Sequence, residues 1–405
     1  MTRPLPLIGI SLWSAATAAS PGSWQLQTQG HVELQNRSFT HQAKAPQDND
    51  EQFSYALSPQ LKAVSTDRQT RLTATAFYRN DQRDDCRTHW DIRELKLDRQ
   101  SGATSLTAGV DRVFWGKAES QNLVDVINTS DSVEGVFTDE KLGQPMLRAQ
   151  YALPDGNLEL YYLPYSRKAT FSGADGRLRT HPGIDGSKAQ YTTSARQWTP
   201  GFALRWDTQN GDLETGVSAF HGLSRDPSFI ALPEPGALGY APVYGAISQL
   251  GLDAQYAGTA TLYKLESIYR WRQLDLHLRE RNYLAWTAGL EHTIGAVLLG
   301  TGDLGLILEY NRDSLGRASI NALQNDLVVG ARYSLNDSAD TDALFTASLD
   351  QTYGSRLYAF KLGRRIGQAT RLSLEAFVPK LDAPREFIHG YRADAVITTS
   401  LRHYW

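Results

Sequence analysis

The sequence predicts an all-β chain that folds as an antiparallel up-and-down β-barrel crossing a membrane, with about 16–18 strands and 18 favoured. Three observations predict this fold. Strand-length segments alternate apolar and polar residues, long connections alternate with short ones, and the last such segment ends on an aromatic residue, Trp405. Successive side chains of a strand lie on opposite faces, so one face here suits lipid and the other suits water.

The bulk composition is compatible with this fold. A chain of 405 residues could form two or three soluble domains or one large barrel. The mean hydropathy is −0.41, and the sequence contains no uncharged apolar run long enough for a transmembrane helix. The net charge of −3 argues against a protein that coats nucleic acid. The single cysteine, Cys86, excludes an internal disulfide and any multi-cysteine metal site.

The amino terminus has the features of a secretory signal. A short basic start at Met1–Arg3 precedes a weakly apolar stretch from Leu5 to Trp13, and small residues follow up to Ala18. This order predicts a signal peptide over residues 1–18, cut near Ala18, and a single barrel over residues 19–405. The alternative is a disordered amino terminus.

Strands are predicted wherever apolar residues recur at every second position. The segment from Trp90 to Leu97 changes parity between Ile92 and Leu95, which predicts a β-bulge. The apolar faces of representative strands are, in chain order, Trp24/Leu26/Val32/Leu34, Leu72/Ala74/Ala76/Tyr78, Leu158/Leu160/Tyr162, Phe202/Leu204/Trp206, Leu250/Leu252/Ala254/Tyr256, Leu304/Leu306/Leu308/Tyr310, Tyr358/Phe360/Leu362 and Leu372/Leu374/Ala376/Val378.

The connections between these segments alternate in length. Tight turns such as Pro154–Asn157 and Gln209–Asp212 carry the Asp-Gly and Asn-Gly pairs that hairpins favour. The intervening connections are longer, and only the short one at Thr352–Gly354 breaks the rule. Bacterial barrels place short turns in the periplasm and long loops outside. Trp24, Trp206 and Trp405 are then expected at the periplasmic rim, and Trp90, Trp115, Trp198 and Trp271 at the outer rim.

The last strand ends directly on aromatic residues. Ala395, Ile397, Thr399 and Leu401 share one face, and nothing follows Trp405. This strand resembles the carboxy-terminal assembly signal of Gram-negative outer-membrane β-barrels, although His403 stands where an aromatic residue is commoner. The resemblance implies location in the cell outer membrane, with outer-membrane lipid and the barrel assembly machinery as partners. The residues expected to form the assembly signal are Leu401, Tyr404 and Trp405.

The polar faces of the strands predict a water-filled interior that carries both signs of charge in similar number. Such a balance argues against a strongly anion- or cation-selective pore. The alternative is that many of these charges form cross-strand pairs that stiffen the wall. The predicted pore-lining residues are Arg148, Arg205, Lys264, Arg270, Arg332, Lys361, Arg365, Arg371, Glu309 and Glu375.

The segment 116–144 is the most distinctive connection. It lies within the sequence FWGKAESQNLVDVINTSDSVEGVFTDEKLGQPML, where Val124, Val126 and Ile127 cluster although an exposed loop needs no such cluster. Burial of each is favourable by roughly 1–2 kcal/mol, so this segment is predicted to fold into the barrel mouth. The predicted pore-constriction residues are its acids Asp125, Asp131 and Glu134.

The FWG…VDVIN…D pattern of this segment resembles porin-like outer-membrane proteins of proteobacteria, related to the alginate-export type of barrel. The resemblance implies a channel for diffusion of small polar solutes that could be substrate-selective, and it names no substrate. The alternatives are a barrel enzyme of lipase or protease type and a structural or adhesion barrel. No Ser-His-acid set, HExxH motif or nucleotide-binding loop can be assigned from spacing. We therefore expect no catalytic residues, metal, cofactor or nucleic-acid partner.

Overall fold

A computed structural model describes residues 24–40, 49–135, 140–180, 182–232, 239–297 and 300–405. The signal peptide predicted over residues 1–18 lies outside this part of the chain.

Eighteen strands form one closed antiparallel sheet. Each strand pairs with the next one of the barrel, and β1 pairs with both β2 and β21, which closes the cylinder. The predicted upper strand count is therefore confirmed. The barrel strands are β1 (Gln25–Phe39), β2 (Glu51–Val64), β3 (Thr70–Asp81), β4 (His89–Ser101), β5 (Thr104–Asp111), β6 (Gln144–Leu153), β7 (Gly156–Leu163), β9 (Gly201–Asn210), β10 (Leu213–Leu223), β13 (Ala246–Ala257), β14 (Thr261–Leu274), β15 (Glu280–Val297), β16 (Gly302–Asp313), β17 (Asn325–Ser334), β18 (Asp342–Asp350), β19 (Arg356–Ile366), β20 (Thr370–Lys380) and β21 (Val396–Tyr404).

The remaining three strands form a small sheet from the long loops at one end of the barrel. They are β8 (Gln190–Tyr191), β11 (Ser228–Ala231) and β12 (Tyr240–Tyr244). Among the described residues the helical elements are short 3-10 turns at Gly186–Lys188, Arg196–Trp198, Gly316–Ala318 and Phe387–Tyr391. No helix in this part of the chain is long and apolar enough to cross a membrane.

The alternation of side chains gives the barrel an apolar exterior. On β16, Leu306 and Leu308 are exposed on the outer face, whereas Ile307 and Glu309 between them are buried inside. The same pattern recurs around the cylinder, so large apolar side chains cover the whole outer wall. Closure of the sheet pairs every strand edge, as a membrane requires. A closed barrel with this apolar exterior is stable only in a lipid bilayer. The protein is an outer-membrane β-barrel.

Two local predictions have different outcomes. The register of β3 against β4 is irregular between Thr75 and Ala76, so Arg93 is an extra residue at the predicted bulge. Trp115 was expected in the outer girdle, and this is wrong. The indole is only 4% exposed and lies inside the barrel, where its ring packs edge-on against Tyr161.

Candidate functional site: the barrel interior

The connection between β5 and β6, described for residues 112–135 and 140–143, folds back into the cylinder, and we name it the inner loop. Its backbone is held by carboxylates on the inward faces of the opposite strands. The N–H groups of Glu119 and Ser120 donate to the two carboxylate oxygens of Glu309 on β16, each at 2.8 Å. The carboxylate of Glu266 on β14 accepts three further N–H groups of the loop. Hydrogen bonds to ionised acceptors are stronger than neutral ones, so both glutamates anchor the loop to the wall.

The apolar residues of the inner loop form a core with the wall beneath them. Val124 and Ile127 have no exposed surface, and Leu123 and Val126 are almost fully buried. The wall contributes inward-facing side chains from β7, β9, β10, β13, β14 and β15, namely Tyr161, Ala203, Phe220, Ile247, Ile268, Tyr283 and Ala285. The wall at this point is therefore dry and apolar. The inward-facing residues predicted from the sequence were all polar, because only the polar residues at alternate strand positions were assigned to the interior.

 One sequence signal could have revealed this apolar part of the inner wall. It is the unbroken apolar run Leu160-Tyr161-Tyr162, in which the middle residue has to face inward.

Two of the three predicted constriction acids contact basic residues of the nearby strands β3 and β4 directly. Asp131 accepts from Arg93 Nη2 at 2.5 Å and lies 3.3 Å from His89 Nε2. Glu134 lies 2.9 Å from Arg79 Nε. Residues of a pore constriction should border the water-filled passage, but these direct contacts leave no gap between the acids and the wall. Although burial opposes ionisation, the hydrogen bond with His89 and the charge of Arg93 hold the pKa of Asp131 well below its usual range.

The third predicted acid, Asp125, has a different environment. Its carboxylate lies 3.4 Å from Lys141 Nζ and its side chain is 1% exposed. Burial raises the pKa of Asp125 to about 6, and the charge of Lys141 opposes this only in part. The structure therefore places all three acids in the packing of the inner loop, where they are shielded from the solvent.

The arginines that hold this end of the loop were missing from the predicted site. Arg37, Arg79, Arg87 and Arg93 come from β1, β3, the β3–β4 connection and β4, and each is nearly or fully buried. Arg87 pairs with Asp81 at 2.7 Å, and Arg37 donates to the backbone carbonyl of residue 134. Arg37 and Arg79 lie at inward positions of their strands, so the alternation of inward and outward residues alone could have predicted them. Arg93 could not be placed without the exact position of the bulge.

In the described part of the chain, one group of three histidine and carboxylate side chains has its ligand atoms close enough together to hold a metal ion. The ligand atoms of His89, Asp131 and Glu134 lie within 4.8 Å of one another. However, Arg93 and Arg79 already neutralise the two carboxylates at 2.5 and 2.9 Å. A cation bound here would lie beside two guanidinium groups, so the arrangement favours the ion pairs over a metal.

The predicted pore-lining residues divide into a group that is buried beneath the inner loop or in ion pairs and a group that is exposed to the lumen. Arg205, Arg270 and Glu309 are buried, at 7%, 4% and 1% exposure. Arg205 makes a two-point contact with Asp253 at 2.7 and 3.0 Å. Because they lie beneath the inner loop or within such pairs, Arg270 and Glu309 do not line an open passage, and Arg205 borders only the cavity at the short-turn end. The sequence could not distinguish them from the exposed group, since the residues of both groups occupy inward positions in the alternation of their strands.

The exposed group lies on the strands that the inner loop does not cover. Lys361 on β19 and Glu375 on β20 are exposed and stand directly opposite each other in register. Neither forms an ion pair within the described residues. We name the inner wall around these two residues the open strip. The remaining predicted lining residues are partly or fully exposed and paired with acids, namely Arg148 with Asp111, Lys264 with Glu291, Arg332 with Glu119, Arg365 with Asp340 and Arg371 with Asp342.

A polar cavity of about 650 Å³ lies below the inner loop at the short-turn end of the barrel. Its lining includes Lys117, Asn157, Arg205, Asp207, Glu214 and Asp253. The cavity forms a vestibule with both signs of charge, as the balanced composition of the inward faces predicts.

A histidine–serine contact on the barrel exterior bears on the enzyme alternative. His221 Nδ1 lies 3.0 Å from Ser248 Oγ near the outer rim, beside a lipid-facing apolar groove of about 820 Å³. No acid orients this histidine among the described residues. The same cross-strand hydrogen bond recurs elsewhere on the exterior, in the pairs Thr261–His292 at 2.8 Å and Thr370–His403 at 2.9 Å. Its recurrence favours a structural pair over a catalytic dyad.

The predicted assembly residues lie where the barrel closes. Leu401 and Tyr404 are each 40% exposed, and the Tyr404 ring packs near that of His31. Trp405 exchanges two backbone hydrogen bonds with Gly30, at 3.1 and 3.3 Å. A Cβ atom at position 30 would lie 2.5 Å from Trp405 Cζ2, so glycine there makes room for the indole.

Comparison with known proteins supports the fold. No protein-family model matches the chain, and no curated protein matches it in sequence. Among solved structures, it is similar to OccK3 (OpdO) of Pseudomonas aeruginosa, with a TM-score of 0.52, 9% identity, and coverage of 93% of this chain and 95% of that one. It is also similar to Wzi of Escherichia coli, described as a carbohydrate-binding β-barrel involved in group 1 capsule assembly, with a TM-score of 0.51, 10% identity, and coverage of 92% and 83%. The chain has a porin-like outer-membrane β-barrel fold.

Proposed function

We propose that this protein is an outer-membrane channel through which small polar solutes diffuse. The path runs along the open strip, and the inner loop narrows the lumen by filling the other side. The observation that carries the proposal is the exposure of Lys361 and Glu375 on the inward face of the wall. Two exposed charges inside a barrel require water around them, because an unpaired charge in a dry interior is strongly destabilising.

The arrangement of charge along the open strip favours small polar solutes. Lys361 and Glu375 have opposite signs and lie on neighbouring strands, so they form a local dipole on one wall of the lumen. A charged, hydrated wall of this kind favours polar solutes over bulky apolar ones. Since both signs are present, we expect weak selectivity between anions and cations.

Two finer features of the function stay predictions. One is selectivity for a particular solute, and the other is a relation to the alginate-export type of barrel. The proposal treats the protein as a channel and not as an enzyme, since the recurrence of the His221–Ser248 type of contact favours a structural role. Outer-membrane lipid, the barrel assembly machinery and small polar solutes are its proposed partners.

The test is the ion selectivity of the purified protein in planar lipid bilayers. Lys361→Glu replaces a positive charge at the open strip, so the reversal potential in a salt gradient should shift towards cation preference. Arg68→Glu is the matched control, because Arg68 is exposed in the turn between β2 and β3, outside the lumen. It makes the same change in net charge and should leave the reversal potential unchanged.

Equal reversal potentials for wild type and Lys361→Glu would contradict the proposed path. A folded wild-type protein that gives no conductance steps would contradict the channel itself, and esterase or protease activity in that silent protein would support the enzyme alternative. Swelling of protein-containing liposomes in a panel of sugars, amino acids and organic acids would then define the solute class.

A further inference from the structure

Four carboxylates lie buried together near the long-loop end of the barrel. Asp313, Asp326 and Asp350 come from the ends of β16, β17 and β18, and Glu386 comes from the loop between β20 and β21. Their exposed fractions are 1%, 3%, 7% and 7%. The charges of Asp326 and Asp350 both act on Glu386, so these groups are close neighbours.

This cluster differs from the buried acids that form ion pairs. Asp253, for example, is matched by Arg205 at 2.7 Å, whereas Glu266 and Glu309 accept backbone N–H groups of the inner loop. Within the described residues, no lysine or arginine forms an ion pair with any of the four carboxylates at the long-loop end. A buried carboxylate without a positive partner is strongly unfavourable. Among the described residues, Asp326, Asp350 and Glu386 therefore lack a counter-charge, whereas the charge of Arg270 acts on Asp313.

Glu386 also has an unused ligand atom. Its Oε2 accepts a hydrogen bond from Ser355 Oγ, whereas its Oε1 is buried and has no hydrogen-bond partner. The side chain lines a cavity of about 10 Å³, which is the size of one water molecule or one ion. Asp350 lines the same cavity, together with the neutral oxygen-bearing side chains of Ser319, Asn321 and Gln324.

We propose that this cavity is a binding site for one divalent cation of the calcium type. Glu386 and Asp350 are the charged ligands, and the neutral side-chain oxygens around the cavity complete the coordination. Calcium takes six to eight oxygen ligands in irregular geometry and accepts such a mixture of carboxylate and amide oxygens. The ion supplies the counter-charge that the side chains lack.

The proposed ligands come from three connections at the long-loop end of the barrel. They belong to the segments 314–324, 351–355 and 381–395 or to the strand ends beside them, and Leu276 from a fourth connection, 275–279, also lines the cavity. A bound ion would cross-link these segments over the side of the mouth next to β17–β20. The proposal does not depend on the solute path, because it concerns only the loops.

The test is terbium luminescence of the refolded full chain in detergent without lipopolysaccharide. Terbium(III) replaces calcium at oxygen sites and emits when a nearby tyrosine is excited, and Tyr353 lines the cavity. We expect sensitised emission that calcium displaces more effectively than magnesium. Glu386→Gln should weaken terbium binding by about tenfold or more, because affinity depends on the number of charged ligands.

Asp382→Asn is the matched control. Asp382 is exposed in the same loop and does not line the cavity, so its loss should leave terbium affinity unchanged. Tyr353→Phe should abolish sensitised emission while calcium still raises the thermal unfolding midpoint. Asp350→Asn provides a second ligand variant if Glu386→Gln does not fold. The proposal would be overturned if wild type gave no more terbium emission than Tyr353→Phe. It would also be overturned if Glu386→Gln and Asp382→Asn bound terbium with equal affinity.

Discussion

At the scale of single residues, the three acids of the inner loop differ in ways that the sequence could not show. Asp131 and Glu134 are held by arginines from other strands, whereas Asp125 has only Lys141 from its own loop. The sequence identified all three as acids of an inward-folding segment. Their partners lie far away in the chain or beyond a bulge, so spacing gave no information about which acid is paired.

The buried Asp125 should make the barrel less stable as the pH rises from about 4 to about 6. Its pKa is raised from 3.8 to about 6 in the folded protein, so the folded state binds the proton more tightly than the unfolded state. The stability that this group contributes is present below about pH 4 and is lost as the pH rises through 6. The upper limit of the effect is about 3 kcal/mol.

Asp125→Asn should remove this dependence and raise the thermal unfolding midpoint at pH 7.5. The measurement is the midpoint of the heat-induced mobility shift after incubation at each pH. Glu140→Gln is the control, because the Glu140 side chain is 51% exposed on the same loop. The prediction fails if Asp125→Asn and wild type lose stability in parallel between pH 4 and 6.

At the scale of strands, the outer faces could be predicted from the sequence and the inner faces only in part. Alternation identified lipid-facing residues such as Leu306 and Leu308, because every strand has one face in lipid. Inside the barrel, the environment of an inward residue depends on whether the inner loop covers it. Ile307 illustrates this, since it points inward yet is only 4% exposed.

Leu306→Arg should destabilise the barrel by about 2–4 kcal/mol, because it places a charge in the hydrocarbon layer. Thr398→Arg is the control, since Thr398 lies on the inward face of β21 opposite Glu375. An arginine there has water and a carboxylate as neighbours and should be tolerated. Unfolding in a lipid refolding titration measures both. Equal losses of stability would show that the assigned faces are wrong.

At the scale of the whole molecule, the sequence predicted the closed barrel and its alternating connections. It did so because a membrane imposes the same constraints on every strand. The predicted inward fold of 116–144 agrees with the position of the inner loop. The small sheet of β8, β11 and β12 was not predicted, since its strands are as short as Gln190–Tyr191. Such short segments carry no measurable alternation.

Deletion of Tyr404 and Trp405 should prevent assembly in the outer membrane. The deletion removes the backbone hydrogen bonds between Trp405 and Gly30 at the seam between β1 and β21, together with the proposed assembly signal. We expect the variant to be degraded or aggregated in the periplasm. Trp24→Ala is the control, because Trp24 is exposed near the same rim but outside the last strand. Heat-modifiable protein in the outer membrane after the deletion would contradict this prediction.

The inner loop also constrains the order in which the molecule can be built. Val124 packs close to Gly251, and the loop backbone is anchored to Glu266 and Glu309, all of which are synthesised more than a hundred residues later. Such distant contacts form slowly, because a long stretch of chain has to be ordered first. Until β15 is in place, the surface on which the loop buries its valines and isoleucine is incomplete. The unassembled chain therefore carries an exposed apolar segment through the periplasm. This architecture requires that the segment be protected from aggregation during transit.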